Sequence, residues 1–233
     1  MDLQAIIFDK DGTLFDFGAT WNTWAVRLIV ELSDGDPDVA RRIADETDFD
    51  LTIGAFRPTS PVIAGTNRQA AEAMARALPA RAVEELEHLL TLRAADAPLV
   101  PPTDLAPLLD DLIARGLKLG VMTNDSDYAA RAHLTSAKVL DRFDWIAGFD
   151  SGHGAKPAPT PLLAFAAAVG VEPARTAMVG DSSHDLVAGR AAGMVTVAVL
   201  TGMARRSELA PYADVVLPHI GHIPAWLDGS DCG

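Results

Sequence analysis

Seven residues combine reactive side chains with a shared kind of position: Asp9, Asp11, Thr123, Asn124, Lys156, Asp181 and Asp185. Each stands just after a short apolar run or in the loop that follows one. Singly, each has an ordinary explanation. A carboxylate after a strand commonly forms a turn or caps a helix. Asp11-Gly12 is turn chemistry, Thr123-Asn124-Asp125 suits a helix start, and Lys156 before Pro157 suits a solvated loop. Asp181 and Asp185 suit a helix start, where the dipole favours negative charge. Together they mean something else. If the apolar runs are parallel strands, their ends reach one edge of a sheet and bring the carboxylates together. Without a cation those groups would repel, and at least one would be forced neutral. A hard divalent cation removes the conflict, and an all-oxygen ligand set suits Mg²⁺ over a softer metal. Asp9 and Asp11 are two residues apart, so a locally extended chain turns both toward one site. Asp181 and Asp185, four apart, share a face if a helical turn begins there. His184 lies between them but out of step, and Mg²⁺ prefers oxygen, so it reads as a bystander. His153 reads as a loop residue.

The elements that must position these residues follow from the hydrophobic pattern. Short, largely apolar runs cover 5–8, 117–122, 145–147, 176–179, 195–200 and 215–217, each closed by polar, glycine or proline residues. Such runs are the pattern of strands buried on both faces, as in a parallel sheet. Helical patterns separate most of them. Thr103 is expected to cap a helix through Leu105, Leu108, Leu109 and Leu112 that ends at Gly116. Two more run over 161–169 and 183–192 and stop at Gly170 and Gly193. Alternating strands and helices predict a doubly wound α/β fold, with its ligand beyond the carboxyl ends of the strands. Residues 17–96 differ: no strand is evident, and 19–32, 67–78 and 80–95 read as amphipathic helices rich in Ala and Leu. The expected domains are an α/β core of 1–16 with 97–233 and an inserted helical module of 17–96. No dinucleotide-type or Walker-type glycine loop is present.

Composition sets limits on function. The 233 residues are 49% apolar and 22% charged, an ordinary globular balance that argues against disorder. The net charge of −13 repels polyanions, so nucleic acid is a poor partner. It also repels a phosphorylated small molecule, so phosphate chemistry needs a local site of metal, lysine and backbone N–H groups. The single cysteine, Cys232, has no partner for an intrachain disulfide and reads as a thiol on a loose tail. Met1-Asp2-Leu3-Gln4 lacks a basic leader, and no apolar stretch approaches the roughly eighteen residues of a membrane span. The expectation is a cytoplasmic protein with no membrane partner.

Asp9-Lys10-Asp11-Gly12-Thr13-Leu14 resembles the first motif of the haloacid dehalogenase-like superfamily. Val121-Met122-Thr123-Asn124 resembles its second motif, Lys156-Pro157-Ala158-Pro159 the third and Gly180-Asp181-Ser182-Ser183-His184-Asp185 the fourth, all in the family's order. The resemblance spans about residues 3–200 and extends to a helical cap of the first subclass. Lys10 departs slightly, since an apolar residue is common there. The general likeness is to phosphoglycolate phosphatase-like members.

The resemblance implies a Mg²⁺-dependent phosphatase acting on a small phosphorylated metabolite, phosphoglycolate-like or a sugar phosphate, as a monomer or homodimer. It implies that Asp9 attacks phosphorus to give an aspartyl-phosphate, and that Asp11 is the acid and then the base. Thr123 and the Asn124 N–H would hold phosphoryl oxygens, and Lys156 would screen Asp9 from the substrate dianion. Asp9, the Asp11 carbonyl and Asp181 would serve the metal, with Asp185 either a further ligand or an orienter at one remove. Among alternatives, a β-phosphoglucomutase-like phosphotransferase shares the motifs. A dehalogenase would not need Asp11. A phosphonate hydrolase needs a cap lysine, and 17–96 has none. A receiver-like phosphorylation module lacks an inserted cap. For specificity, the segment 56–66 breaks the helical pattern with two prolines and a glycine, which predicts a cap loop facing the site. Arg57 and Arg68 border it and read first as solvated helix-end residues, with a carboxylate-binding role as the second reading. Trp21 and Trp24 suit helix packing, with a substrate-facing role as the second reading.

Overall fold

The computed structural model describes residues 2–229; Cys232 and its expected tail lie outside the described residues. The first strand, β1 (Ala5–Phe8), is fully buried and sends alternate side chains to opposite faces. Ile6 and Phe8 pack into a core shared with Leu105, Leu109 and Leu112, whereas Ala5 and Ile7 pack with Leu162 and Phe165. A strand covered on both sides needs apolar residues at every position, and the run Ala-Ile-Ile-Phe supplies them.

The chain then leaves the sheet for α1 (Phe17–Ser33), α2 (Pro37–Glu46), β2 (Phe49–Asp50), β3 (Ala55–Phe56), α3 (Pro61–Ala64), α4 (Asn67–Ala77) and α5 (Val83–Ala94). These elements share an apolar cluster that includes Trp21, Trp24, Leu28, Met74 and Leu86. Asp16 caps α1 by accepting from the Ala19 N–H at 2.8 Å. Thr66 and Gln69 close the start of α4 as a capping box. Two features differ from the sequence expectation of helices alone. α2 carries few apolar residues, and β2 pairs antiparallel with β3 through only two residue pairs. The segment 56–66 is not simply a loop, since Ser60 caps the short α3 within it.

The return to the sheet runs through α6 (Leu105–Ala114), β4 (Lys118–Met122), α7 (Asp127–Ser136), β5 (Trp145–Ala147), α8 (Thr160–Val169) and β6 (Thr176–Gly180). It ends with α9 (Ser183–Ala191), β7 (Val195–Val199), α10 (Arg206–Leu209), β8 (Val215–Leu217) and α11 (Ile223–Leu227). Asp104, not Thr103, stands at the cap position of α6. The six strands are parallel in the order β5-β4-β1-β6-β7-β8, with helices on both faces: a doubly wound α/β sheet with a helical insertion. The order reverses at β1, whose neighbours are β4 on one side and β6 on the other. Loops leaving these strands diverge there and open a crevice at their carboxyl ends. Asp9 is the first residue beyond β1. Among the described residues, no helix is long and apolar enough to cross a membrane.

Candidate active site

Three strand ends and one loop build the site. Asp9 continues the line of β1, its N–H donating to the Val179 carbonyl at 2.8 Å. The chain then turns sharply, with Leu14 N–H returning to the Lys10 carbonyl at 2.9 Å. Gly12 makes the turn possible: its φ is +85°, and a Cβ there would lie 2.3 Å from Asp181 Oδ2. After β6, Ser182 donates to Asp185 Oδ2 through its N–H at 3.0 Å and its hydroxyl at 2.7 Å. That leaves Asp185 Oδ1 to Lys156 Nζ at 2.6 Å. Lys156 Nζ also lies 2.6 Å from Asp9 Oδ1. The Asn124 amide fixes the loop carrying this lysine: it donates to the Lys156 carbonyl and accepts from the Lys156 N–H, both at 2.9 Å. Thr123 Oγ1 accepts from the Asp125 N–H at 3.1 Å, so its own proton can point into the cleft.

Asp9, Asp181 and Asp185 are buried and each offers an oxygen within 4.8 Å of the others. One lysine cannot neutralise three carboxylates. Burial pushes the Asp9 carboxyl up to about 7, helped by Asp185 and Asp11 and opposed by Lys156. Burial likewise holds Asp181 well above the usual carboxylate range, with Asp9 and Asp185 adding to it. Burial works against the Lys156 ammonium, but Asp185 and Asp9 outweigh it and raise its pKa. Three carboxylates that burial, and then their mutual repulsion, drive toward protonation offer an all-oxygen donor set and an excess of negative charge that a hard divalent cation relieves, so the residues present fit Mg²⁺.

Asp11 sits beside this cluster in a second network. Its Oδ1 accepts from Trp21 Nε1 of α1 at 2.8 Å, and its Oδ2 lies 2.6 Å from Lys10 Nζ. Lys10 is completely buried, lies 3.2 Å from Asp125 Oδ2, and has its ammonium 5.4 Å from the Trp21 ring centroid. It also donates to His133 Nδ1 at 2.9 Å, while His133 Nε2 donates to the Ala94 carbonyl at the end of α5 at 2.6 Å. That pattern fixes a neutral imidazole, and burial with the adjacent Lys10 charge holds its pKa down to about 4. Asp125 Oδ1 accepts from Asn67 Nδ2 of α4 at 3.0 Å. The insertion and the sheet edge therefore meet through polar contacts at the acid/base candidate. Asn67 and His133 have no signal in the sequence, and Asp125 reads there only as part of a helix start. For Lys10, its departure from the apolar residue common at that position was the available signal.

Above the carboxylates lies a cleft of about 720 Å³, counting the part open to solvent. Asp9, Asp11, Thr123, Asn124, Lys156, Asp181 and Asp185 all line it, as does His184. Trp21 and Trp24 line its other wall with Val62 and Ile63 of α3. Arg57 and Arg68 do not. Arg57 pairs with Asp48 and Asp50, and Arg68 with Glu72, Glu84 and Glu87, all at the surface. The substrate-facing reading of these arginines is corrected in favour of the solvated one: carboxylates within their own module capture them. His153 packs on Trp145, outside the cleft.

Known proteins share this architecture. Residues 3–193 match the haloacid dehalogenase-like hydrolase family. A phosphoglycolate phosphatase of Rhodospirillum rubrum is 31% identical over 96% of this chain and 90% of its own length. An N-acetylmuramic acid 6-phosphate phosphatase of Pseudomonas aeruginosa is 30% identical over 100% of this chain and 98% of its own. The solved HAD phosphatase of Thermococcus onnurineus has a TM-score of 0.63 at 24% identity, over 98% of this chain and 99% of that one.

Proposed function

The chain belongs to the haloacid dehalogenase-like hydrolase family as a phosphatase, and from that premise we propose that it hydrolyses a small phosphorylated metabolite through a phosphorylated Asp9. The observation that carries this reading is the placement of Asp9. It lies at the switch point of the sheet, with Lys156 on one oxygen and Asp11 two residues away at the cleft wall. Small phosphorylated substrates are named for both relatives above, which supports the substrate class.

In the proposed sequence, a carboxylate oxygen of Asp9 attacks phosphorus in line, and the bond from phosphorus to the alcohol oxygen breaks. Asp11 gives a proton to that departing oxygen. Water then attacks the phosphorus of the aspartyl-phosphate, Asp11 takes a proton from it, and the Asp9 carboxylate and inorganic phosphate are released. The Thr123 hydroxyl and the Asn124 N–H hold the phosphoryl oxygens ahead of α7. Lys156 keeps Asp9 oriented and offsets the charge of the incoming dianion. Asp9, Asp181 and Asp185, with the Asp11 carbonyl, would hold Mg²⁺. When bound, the metal supplies positive charge against the phosphoryl oxygens. The residues 17–96 act as a cap: Trp21 reaches from them to aim Asp11, so the acid/base is in register when the cap sits as it does here.

Phosphate release from p-nitrophenyl phosphate tests the reading. Activity is expected with Mg²⁺, to vanish after EDTA and to return on adding Mg²⁺. Full activity after exhaustive chelation contradicts it.

A further inference from the structure

The cleft has two halves of opposite chemistry. The phosphoryl half carries carboxylates, Lys156 and Thr123. The other half, where the alcohol of a substrate must lie, is walled by Phe17, Trp21, Trp24, Val62, Ile63 and Leu90. Both indole N–H groups in that wall are already engaged. Trp21 Nε1 donates to Asp11 Oδ1, and Trp24 Nε1 donates to the Arg93 carbonyl at 2.9 Å. What the tryptophans offer the cleft is therefore carbon surface.

Charge points the same way. The carboxylates bordering this half are Asp11 and Asp125, Lys10 behind them is committed to both, and His184 also lines the cleft. Among the described residues, no lysine or arginine of 17–96 lines the cleft. The start of α4, which borders it through Thr66 and Asn67, carries a capping box of its own. Thr66 Oγ1 accepts from the Gln69 N–H at 3.3 Å, and Gln69 Oε1 accepts from the Thr66 N–H at 2.8 Å. The Asn67 amide donates to Asp125. A substrate carboxylate placed here would face two aspartates with no lysine or arginine from 17–96 to pair with, while leaving water.

Resting on the phosphatase reading above, we propose that the alcohol half of the preferred substrate is uncharged and lays an apolar face against Trp21 and Trp24. Phosphate esters of neutral alcohols are substrates, and phosphorylated carboxylic acids are poor ones. This separates the chain from the acid substrates named for its relatives.

The test compares three esters on the full chain with Mg²⁺: 2-phosphoglycolate, 2-hydroxyethyl phosphate, which matches it in size without the carboxylate, and benzyl phosphate. The kcat/KM is expected to be at least tenfold higher for both neutral esters than for 2-phosphoglycolate, with the difference mainly in KM. Val62→Arg, which adds a cation to the wall, is expected to shift the ratio of 2-phosphoglycolate to 2-hydroxyethyl phosphate tenfold toward the acid. Equal or better turnover of 2-phosphoglycolate by the unaltered chain overturns the inference. p-Nitrophenyl phosphate separates the two readings: its hydrolysis keeps the phosphatase reading whatever the ester ranking, and no release from any ester removes both.

Discussion

Lys10 has a completely buried side chain between Asp11 and Asp125, so replacing it strands two carboxylates away from water. Lys10→Met is expected to cost roughly 3–5 kcal/mol, the range for removing one partner of a buried ion pair. Thermal unfolding reads this as a fall of about 2–4 °C per kcal/mol for a chain of this size. Lys10→Met with Asp125→Asn is expected to recover part of the loss, because one stranded charge goes with its partner. If Lys10→Met unfolds at the original temperature, the network contributes nothing. Asp11 has a different signature. Asp11→Asn is expected to slow turnover by roughly 10²–10⁴-fold, typical of losing general acid–base catalysis. The loss in the first step is expected to be smaller for p-nitrophenyl phosphate, whose leaving group needs little protonation. Equal first-step losses on good and poor leaving groups would remove Asp11 from the acid role. Asp9, Asp11, Thr123, Lys156, Asp181 and Asp185 were legible in sequence because each follows a strand-like run, and parallel strands have one carboxyl edge. Lys10 was not, since a lysine's type points to solvent and only the fold reveals the carboxylates around it. The second reading of Arg57 and Arg68 failed for a related reason: a guanidinium suits any carboxylate, and those nearest in space were Asp50, Glu84 and Glu87.

At the scale of elements, the turn after β1 and the start of α9 hold each other in place. Gly12 leaves room for Asp181, and the Gly12 carbonyl accepts from Thr201 Oγ1 at 2.6 Å, which ties the loop after β7 into the same edge. Gly12→Ala is expected to displace the Asp181 carboxylate and strain the turn, because both the positive φ and the contact require glycine. The Mg²⁺ concentration for half-maximal activity should then rise at least tenfold, while far-ultraviolet circular dichroism stays unchanged. Unaltered Mg²⁺ activation would show that the close approach does not matter. The strands of the sheet were readable because they are short, largely apolar runs punctuated by polar residues. β2 and β3 were not, since two-residue strands show no period. α2 was missed because its inward face rests on Ile43 and Ala44 with little else buried. The α3 turn hid behind Pro58 and Pro61, which mark a loop as readily as a helix start.

At the scale of the whole molecule, an acidic chain concentrates further negative charge at one sheet edge, which links stability to metal and pH. Between pH of about 4 and about 7 the metal-free folded chain keeps a proton on Asp9 that the unfolded chain has lost. The folded state binds more protons there, so this site's contribution to stability falls as pH rises through that window. Asp181 acts in the same direction. His133, held down to about 4, acts oppositely: its contribution is lost as pH falls from about 6.5 toward 4. The Mg²⁺-dependent part of stability isolates the carboxylates. The rise in Tm on adding Mg²⁺ is expected to grow from pH 5 to pH 8, because fewer protons compete for Asp9 and Asp181. Saturation at a hundred times Kd corresponds to about 2.7 kcal/mol. A rise independent of pH would place the metal elsewhere. The order of motifs made the core and its inserted module readable from sequence. How the module seats on the core was not readable, because it depends on Trp21 turning back to Asp11 and on Asn67 and Ala94 meeting Asp125 and His133 across 58 and 39 residues of chain. The claim on which the account rests is that phosphorus passes through Asp9. Acid-quench mass spectrometry during turnover of p-nitrophenyl phosphate tests it most directly: the account predicts one phosphoryl adduct on the peptide carrying Asp9, absent in Asp9→Asn, and an adduct on any other residue would contradict it.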